Sequence, residues 1–136
     1  MKSLRIFPNP DTMAKEIASQ LERYSSQAEK EGRVFSVVLS GGSACTRLYR
    51  GLAEQSFVNK IPWHVIHLFW ADERCVPPKS EESNYGVCRS VLLDYIPIPK
   101  DNIHRIRGEG DPAAESIRYA KEIHNHMEWR NGSLNF

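Results

Sequence analysis

The chain has 136 residues, 40% apolar and 26% charged, with a formal net charge of +1. That is enough for one domain with its own core and an ordinary globular composition. It gives no electrostatic case for nucleic acid or an anionic membrane surface. No run approaches the roughly 20 apolar residues of a membrane span. The segment from Met1 to Pro8 has no apolar stretch of signal-peptide length. Cys45, Cys75 and Cys88 show no Cys-x-x-Cys spacing, which argues against a disulfide framework or a zinc site. A reducing cytoplasm is the simplest location.

In chain order, Asp11 predicts a cap for a helix starting at Thr12, in which Met13, Ile17, Leu21, Tyr24 and Ala28 share one face. Gly32 is its stop signal. Val34 to Leu39 is valine-rich and apolar, and reads as a strand buried on both faces of a parallel sheet. It breaks into Ser40-Gly41-Gly42-Ser43, followed by a helix over Thr46 to Gln55 with Leu48, Tyr49 and Leu52 available for packing. His64 to Trp70 reads as a second strand ending in Ala71-Asp72-Glu73-Arg74, and Pro77-Pro78 keep the next segment irregular. Ser83 predicts another cap, with Val87, Val91, Leu92 and Tyr95 as the packed stripe before Pro97 and Pro99. Ile103 to Ile106 reads as a short strand. Asp111-Pro112 starts a last helix carrying Ile117, Ala120, Ile123 and Met127, closed by Asn131-Gly132. Leu134-Asn135-Phe136 reads as the beginning of a further strand. The alternation predicts one α/β domain over residues 1–136, an open, mainly parallel, Rossmann-like sheet with helices on both faces. It reads as truncated at its C-terminal end, with an unpaired edge that favours self-association or marginal folding.

Two loops carry the chemistry. Ser40-Gly41-Gly42-Ser43 turns a strand into a helix through glycines, which clusters backbone N–H groups at a helix N-terminus, a setting for phosphate. It matches neither a Walker A loop nor Gly-x-Gly-x-x-Gly, and taken alone it reads equally well as an unliganded tight turn. Asp72-Glu73-Arg74 offers a guanidinium for phosphate and two carboxylates for sugar hydroxyls or protons. In open parallel sheets, ligands lie outside the carboxyl ends of the strands, so both loops belong to one rim. The histidines predict no metal. His64 and His67 are three apart on a strand and diverge, His124 and His126 are two apart on a helix, and His104 stands at a strand end. Cys45 sits near a helix N-terminus, where a thiolate is favoured, but a small first-turn residue is the simpler reading.

Several blocks in order extend this reading: Ser40-Gly41-Gly42-Ser43 with Leu48-Tyr49, Phe69 through Pro77, Glu82-Ser83-Asn84-Tyr85-Gly86, Ile96-Pro97-Ile98-Pro99, and Asn102-Ile103-His104-Arg105-Ile106. Together they resemble a 6-phosphogluconolactonase across almost the whole chain. The resemblance implies metal-free and cofactor-free hydrolysis of 6-phosphogluconolactone to 6-phosphogluconate in the oxidative pentose phosphate pathway. Its partner would be a small sugar phosphate, with no nucleic acid or membrane involved and the oligomeric state left open. It implies that the backbone of Gly41, Gly42 and Ser43, with Arg74, holds the 6-phosphate, and that Asp72 and Glu73 shape the sugar side. Ala44-Cys45 departs from the family's usual Thr-Pro. The resemblance also implies a general-base histidine in a later Gly-x-Gly-x-Asp-Gly-His loop, beyond Phe136, so no histidine of this chain is assigned as catalytic. Two alternatives remain: an amino-sugar phosphate deaminase or isomerase, which usually has tyrosine where Arg74 stands, and a non-catalytic sugar-phosphate-binding paralogue.

Overall fold

The first helix, α1 (Pro10–Lys30), begins two residues earlier than the sequence suggested: Asn9, not Asp11, is its cap. The Asn9 side chain accepts from the Thr12 N–H at 2.8 Å, and Pro10 occupies the first helical position, where a missing N–H costs nothing. Asp11 instead pairs with Arg47 at 2.9 Å. The computed structural model describes residues 4–126 and two short strands at 129–130 and 133–134.

The buried stripe of α1 is Ala14, Ala18, Ser25 and Ala28, with Leu21 beside it. Small residues let the helix lie close to its neighbours. Ser25 is tolerated there because its hydroxyl donates to the Leu21 carbonyl at 2.7 Å. Ile17 and Tyr24, expected on the core face, are 40% and 48% exposed. They overhang the outer side of β1 (Phe35–Leu39) and form an apolar groove with Phe35 and Val38.

β1 lies beside β2 (Ile66–Trp70), which lies beside β3 (Ile103–His104), all parallel, in the order β1-β2-β3. Among the described residues β1 is an edge of this sheet, and Val38 lies in the open groove on its outer face, so the expectation of burial on both faces fails there. The central strand β2 meets it instead. Ile66, Leu68 and Trp70 face a cluster formed with Ala18, Tyr49, Leu52, Cys88 and Leu92, while Phe69 packs on the other side against Tyr119. Each such aliphatic or phenyl side chain is worth about 1.5–3 kcal/mol relative to exposure. Burial pushes the Cys88 thiol up to about 12, which makes it inert.

The helices that complete the layers are α2 (Ser43–Leu52), α3 (Gln55–Val58), α4 (Asn84–Val91) and α5 (Pro112–His126). Clusters on both sides of β2 confirm an α/β sheet covered on two faces. α5 is capped by Asp111, which accepts from the Ala114 N–H at 2.8 Å. Its buried residue is Tyr119, not the expected Ile117, which is 61% exposed. The Tyr119 hydroxyl accepts from the Trp70 N–H at 2.7 Å and donates to the Trp70 carbonyl at 3.0 Å, so a polar clasp sets the helix register. At the end of the described chain, β4 (Trp129–Arg130) pairs antiparallel with β5 (Ser133–Leu134). Met127, the Asn131-Gly132 stop and Phe136 lie outside the described residues.

Candidate active site

The two polar loops leave the sheet side by side. Leu39 is in register with Trp70, and the Ala71 N–H continues the ladder to the Leu39 carbonyl at 2.9 Å. Ser40 and Asp72 therefore face each other at the carboxyl rim, 3.4 Å apart between Ser40 Oγ and Asp72 Oδ1. The Tyr49 hydroxyl donates to the Ser40 carbonyl at 2.5 Å and ties the loop back to α2.

Asn84, the first residue of α4, joins the third segment to these two. Its amide donates to the Asp72 carbonyl at 3.1 Å. A Cβ on Gly41 would fall 2.0 Å from Asn84 Oδ1, so a side chain there would displace the Asn84 amide from its bond to Asp72. A Cβ on Gly108 would fall 2.0 Å from the Arg74 carbonyl, so the 107–110 turn presses equally close to the Arg74 backbone. A cavity of about 470 Å³ opens between the Asp72-Glu73 loop and α5, bordered by Arg107, Gly108, Tyr119 and Ile123.

The helix termini differ in a way that assigns the carboxylates. At α4, every free N–H is occupied. Glu73 accepts from Asn84 N at 2.8 Å, Tyr85 N at 2.9 Å, Arg74 N at 2.7 Å and the Ser83 hydroxyl at 3.0 Å. Ser83 Oγ accepts in turn from Gly86 N at 2.9 Å, as its predicted capping role requires. At α2, Gly42 is the cap residue with φ at 97°, a conformation that favours glycine, and no side chain caps the first turn. The first-turn N–H groups of Ser43, Ala44 and Cys45 are left for an outside acceptor, with the positive end of the helix dipole behind them. Asp72 and Arg74 are exposed, and the Arg74 guanidinium makes no hydrogen bond or ion pair among the described residues. Ser40, which leads into Gly41, Gly42 and Ser43, thus meets Asp72 at the rim; Arg74 follows two residues later, and Glu73 turns to the start of α4.

Sequence reasoning passed over Asn84 and Arg107 as rim residues. Asn84 had a readable signal, since it follows the Ser83 cap, but its contact with Gly41 crosses three elements. His64, His67, His104 and His126 find their partners elsewhere. His64 pairs with Glu29 at 3.1 Å. His67 diverges from His64 and meets His104, with His67 Nδ1 and His104 Nε2 2.9 Å apart on the α5 face. His104 also meets Glu122 at 2.6 Å, and His126 lies beside them. Spacing in sequence separates these residues, and the fold brings His67, His104, Glu122 and His126 together from β2, β3 and α5.

A family model for glucosamine-6-phosphate isomerases and 6-phosphogluconolactonases matches residues 8–136. The chain belongs to that family. It is 38% identical over 117 residues to a 6-phosphogluconolactonase of Haemophilus influenzae, covering 86% of this chain and 49% of that protein. Against a 6-phosphogluconolactonase of Nostoc it is 33% identical, covering 90% and 50%. Among solved structures it matches the devB protein with a TM-score of 0.91 at 40% identity, covering 97% of this chain and 54% of that one. The 6-phosphogluconolactonase of Thermotoga maritima gives a TM-score of 0.73 at 31% identity, covering 90% and 53%. A monomeric glucosamine-6-phosphate deaminase gives a TM-score of 0.78 at 15% identity, a likeness of fold alone. The chain spans about half the length of the curated relatives it matches. Among the described residues, no helix is long and apolar enough to cross a membrane.

Proposed function

We propose that this chain supplies the phosphate- and sugar-binding half of a 6-phosphogluconolactonase, acting in the cytoplasm on 6-phosphogluconolactone. The observation that carries the reading is the contrast between two neighbouring helix starts. α4 is saturated by Glu73 and Ser83, whereas α2 opens uncapped onto the rim that also carries Arg74 and Asp72. An uncapped glycine-rich N-terminus suits a dianionic phosphate, and so does a guanidinium without a partner among the described residues. Asp72 then receives sugar hydroxyls, and Glu73 acts indirectly, by fixing α4 and with it Asn84 against Gly41.

Lactone hydrolysis needs a base to take a proton from water as it attacks the carbonyl, and donors to meet the oxyanion. In this reading the base is a histidine outside residues 1–136, and the present residues bind and orient. General-base assistance is worth about 10²–10⁴ in rate, so residues 1–136 alone would bind product far better than they turn over lactone. Arg74 in place of tyrosine supports the lactonase over the deaminase.

The test is calorimetric titration with 6-phosphogluconate, paired with turnover of the lactone and of glucosamine 6-phosphate by a form extended to its relatives' length. Saturable binding weakened about tenfold or more by Arg74→Ala, and turnover of the lactone alone, is expected; roughly 1.4 kcal/mol corresponds to each factor of ten. Deamination without lactonase activity would replace the reading by the isomerase alternative. Binding without turnover in the extended form would leave the paralogue.

A further inference from the structure

The second polar cluster is built from α5 downward. The Tyr119 clasp fixes that helix at Trp70, the carboxyl end of β2. Its later turns therefore descend along the strand toward His67, away from the phosphate rim. Glu122 and His126, four apart, share the face that descends. β3 places His104 opposite Phe69, 5% exposed, with the Phe69 ring stacked on its imidazole at 4.4 Å.

We propose that His104, Glu122 and His126 bind one divalent transition-metal ion of the zinc class, which staples the last turns of α5 to β2 and β3. Their donor atoms all lie within 4.8 Å of one another. Glu122 Oε1 is 2.6 Å from His104 Nδ1, and the His104 and His126 ring centroids are 4.3 Å apart. A tetrahedral ion with ligand bonds near 2.0–2.2 Å needs donor atoms roughly 3.3 Å apart, so a small swing of Glu122 suffices.

The remaining hydrogen bonds already orient each ligand. Arg118 holds Glu122 Oε2 at 3.1 Å, which leaves Oε1 for the ion. His126 Nδ1 donates to the Glu122 carbonyl at 2.9 Å, which leaves Nε2 as its lone pair. His104 Nε2 faces His67 Nδ1, the outer partner that a metal-bound imidazole ordinarily has. The protons balance without net release. In the metal-free chain His104 carries its proton on Nδ1, toward Glu122, and His67 carries its own on Nδ1, toward His104. On binding, the ion takes His104 Nδ1, the His104 proton sits on Nε2 donating to His67 Nδ1, and the His67 proton moves to its Nε2. Arg118 is itself neutralised by Glu115 at 2.6 Å, so its charge does not bar a cation. His126 and Glu122 are 36% and 29% exposed, which gives the ion an entry path and a solvent-side fourth position.

The proposal does not rest on the lactonase reading, and its readouts are independent of turnover. Chelator-treated protein is titrated with Co²⁺. Expected are one equivalent bound, the visible absorption of a tetrahedral nitrogen–oxygen site, and a rise in Tm. His126→Ala, at an exposed helix end, and Glu122→Gln should each weaken binding about 100-fold, at or beyond the 10–100-fold typical of losing an outer partner. His64→Ala, at the separate Glu29 pair, should leave it unchanged. Absence of saturable binding, a thiolate charge-transfer band from the cysteines, or binding that survives His126→Ala while falling with His64→Ala would overturn the assignment. If His126→Ala lowers metal-free stability, the spectrum of Glu122→Gln decides alone: an unchanged tetrahedral band refutes the site.

Discussion

Glu73→Gln separates a residue that builds the rim from one that binds substrate. The carboxylate receives four hydrogen bonds, two on each oxygen: Asn84 N and Arg74 N on Oε1, Ser83 Oγ and Tyr85 N on Oε2. Glutamine keeps the shape but turns one oxygen into an NH₂ group, which confronts two donors with a third. Two bonds to a carboxylate are lost. At a half-buried position each is worth about 1 kcal/mol, below the 1.5–3 kcal/mol of a fully charged bond. Losing a negative charge at the start of α4 removes a further 0.3–1 kcal/mol or so of interaction with the helix dipole. The sum is about 2–3 kcal/mol, which for a chain of this size is a fall in Tm of roughly 10 °C. Urea unfolding followed by tryptophan fluorescence should show a lower midpoint at unchanged slope, and 6-phosphogluconate affinity should fall only as Asn84 drifts from Gly41. A loss below about 0.5 kcal/mol, the range of ordinary surface changes, together with abolished binding, would refute the reasoning and make Glu73 a direct ligand.

Arg74→Ala should do the converse, leaving the urea midpoint within about 0.5 kcal/mol of the parent because the side chain has no partner to lose among the described residues. Tyr119→Phe leaves the Trp70 N–H buried without its acceptor and should cost about 1–3 kcal/mol by the same urea assay, with a parent-like midpoint counting against the clasp. Gly42→Ala forces a side chain into φ 97° and should cost about 1–3 kcal/mol while weakening phosphate binding, even though a Cβ there meets no neighbour; an unchanged midpoint would show that the loop relaxes freely. Glu115, whose carboxylate is 10% exposed, is held below its ordinary 4.5 chiefly by Arg118 against an opposing effect of burial, with the Arg107 N–H adding to the lowering. A lowered carboxylate pKa stabilises the fold above the unfolded value and loses that contribution as pH falls through the folded one. Urea midpoints taken from about pH 5 to about pH 3 should therefore drop more steeply in the parent than in Glu115→Gln, and equal slopes would remove Glu115 from acid stability.

Much of the rim was legible because its signals are local. Glycines at a strand-to-helix turn, a serine before Asn84 and an Asp-Pro pair each act within a few residues, and Ser83 and Asp111 cap where the sequence places them. The strand buried on both faces was also readable as a type, but the pattern could not say that β2 sits centrally and β1 at an edge. What failed depends on partners far along the chain. The α5 face was misread because Tyr119 earns burial through the Trp70 backbone, 49 residues away, whereas the apolar Ile117 points outward. The histidine group was invisible for the same reason: of its members only Glu122 and His126 lie within one helical turn, and His67 and His104 join them through the register of two strands.

The geometry also explains why three charged residues in a row do three different things. A strand ending at Trp70 sends Asp72, Glu73 and Arg74 into a turn where successive side chains diverge. Glu73 falls on the side of α4, where four donors await a carboxylate, and a negative charge there is stabilised by the helix it starts. Asp72 and Arg74 are left facing outward, and the Gly108 contact with the Arg74 carbonyl holds that backbone still. Exchanging Asp72 and Glu73 would therefore not conserve the site although it conserves composition. The shorter carboxylate at position 73 would not span to both Asn84 and Tyr85, the first N–H groups of α4 would lose their acceptor, and Asn84 would no longer be held against Gly41. The order of the acids, more than their number, is what couples a helix cap to the open N-terminus of α2 beside it.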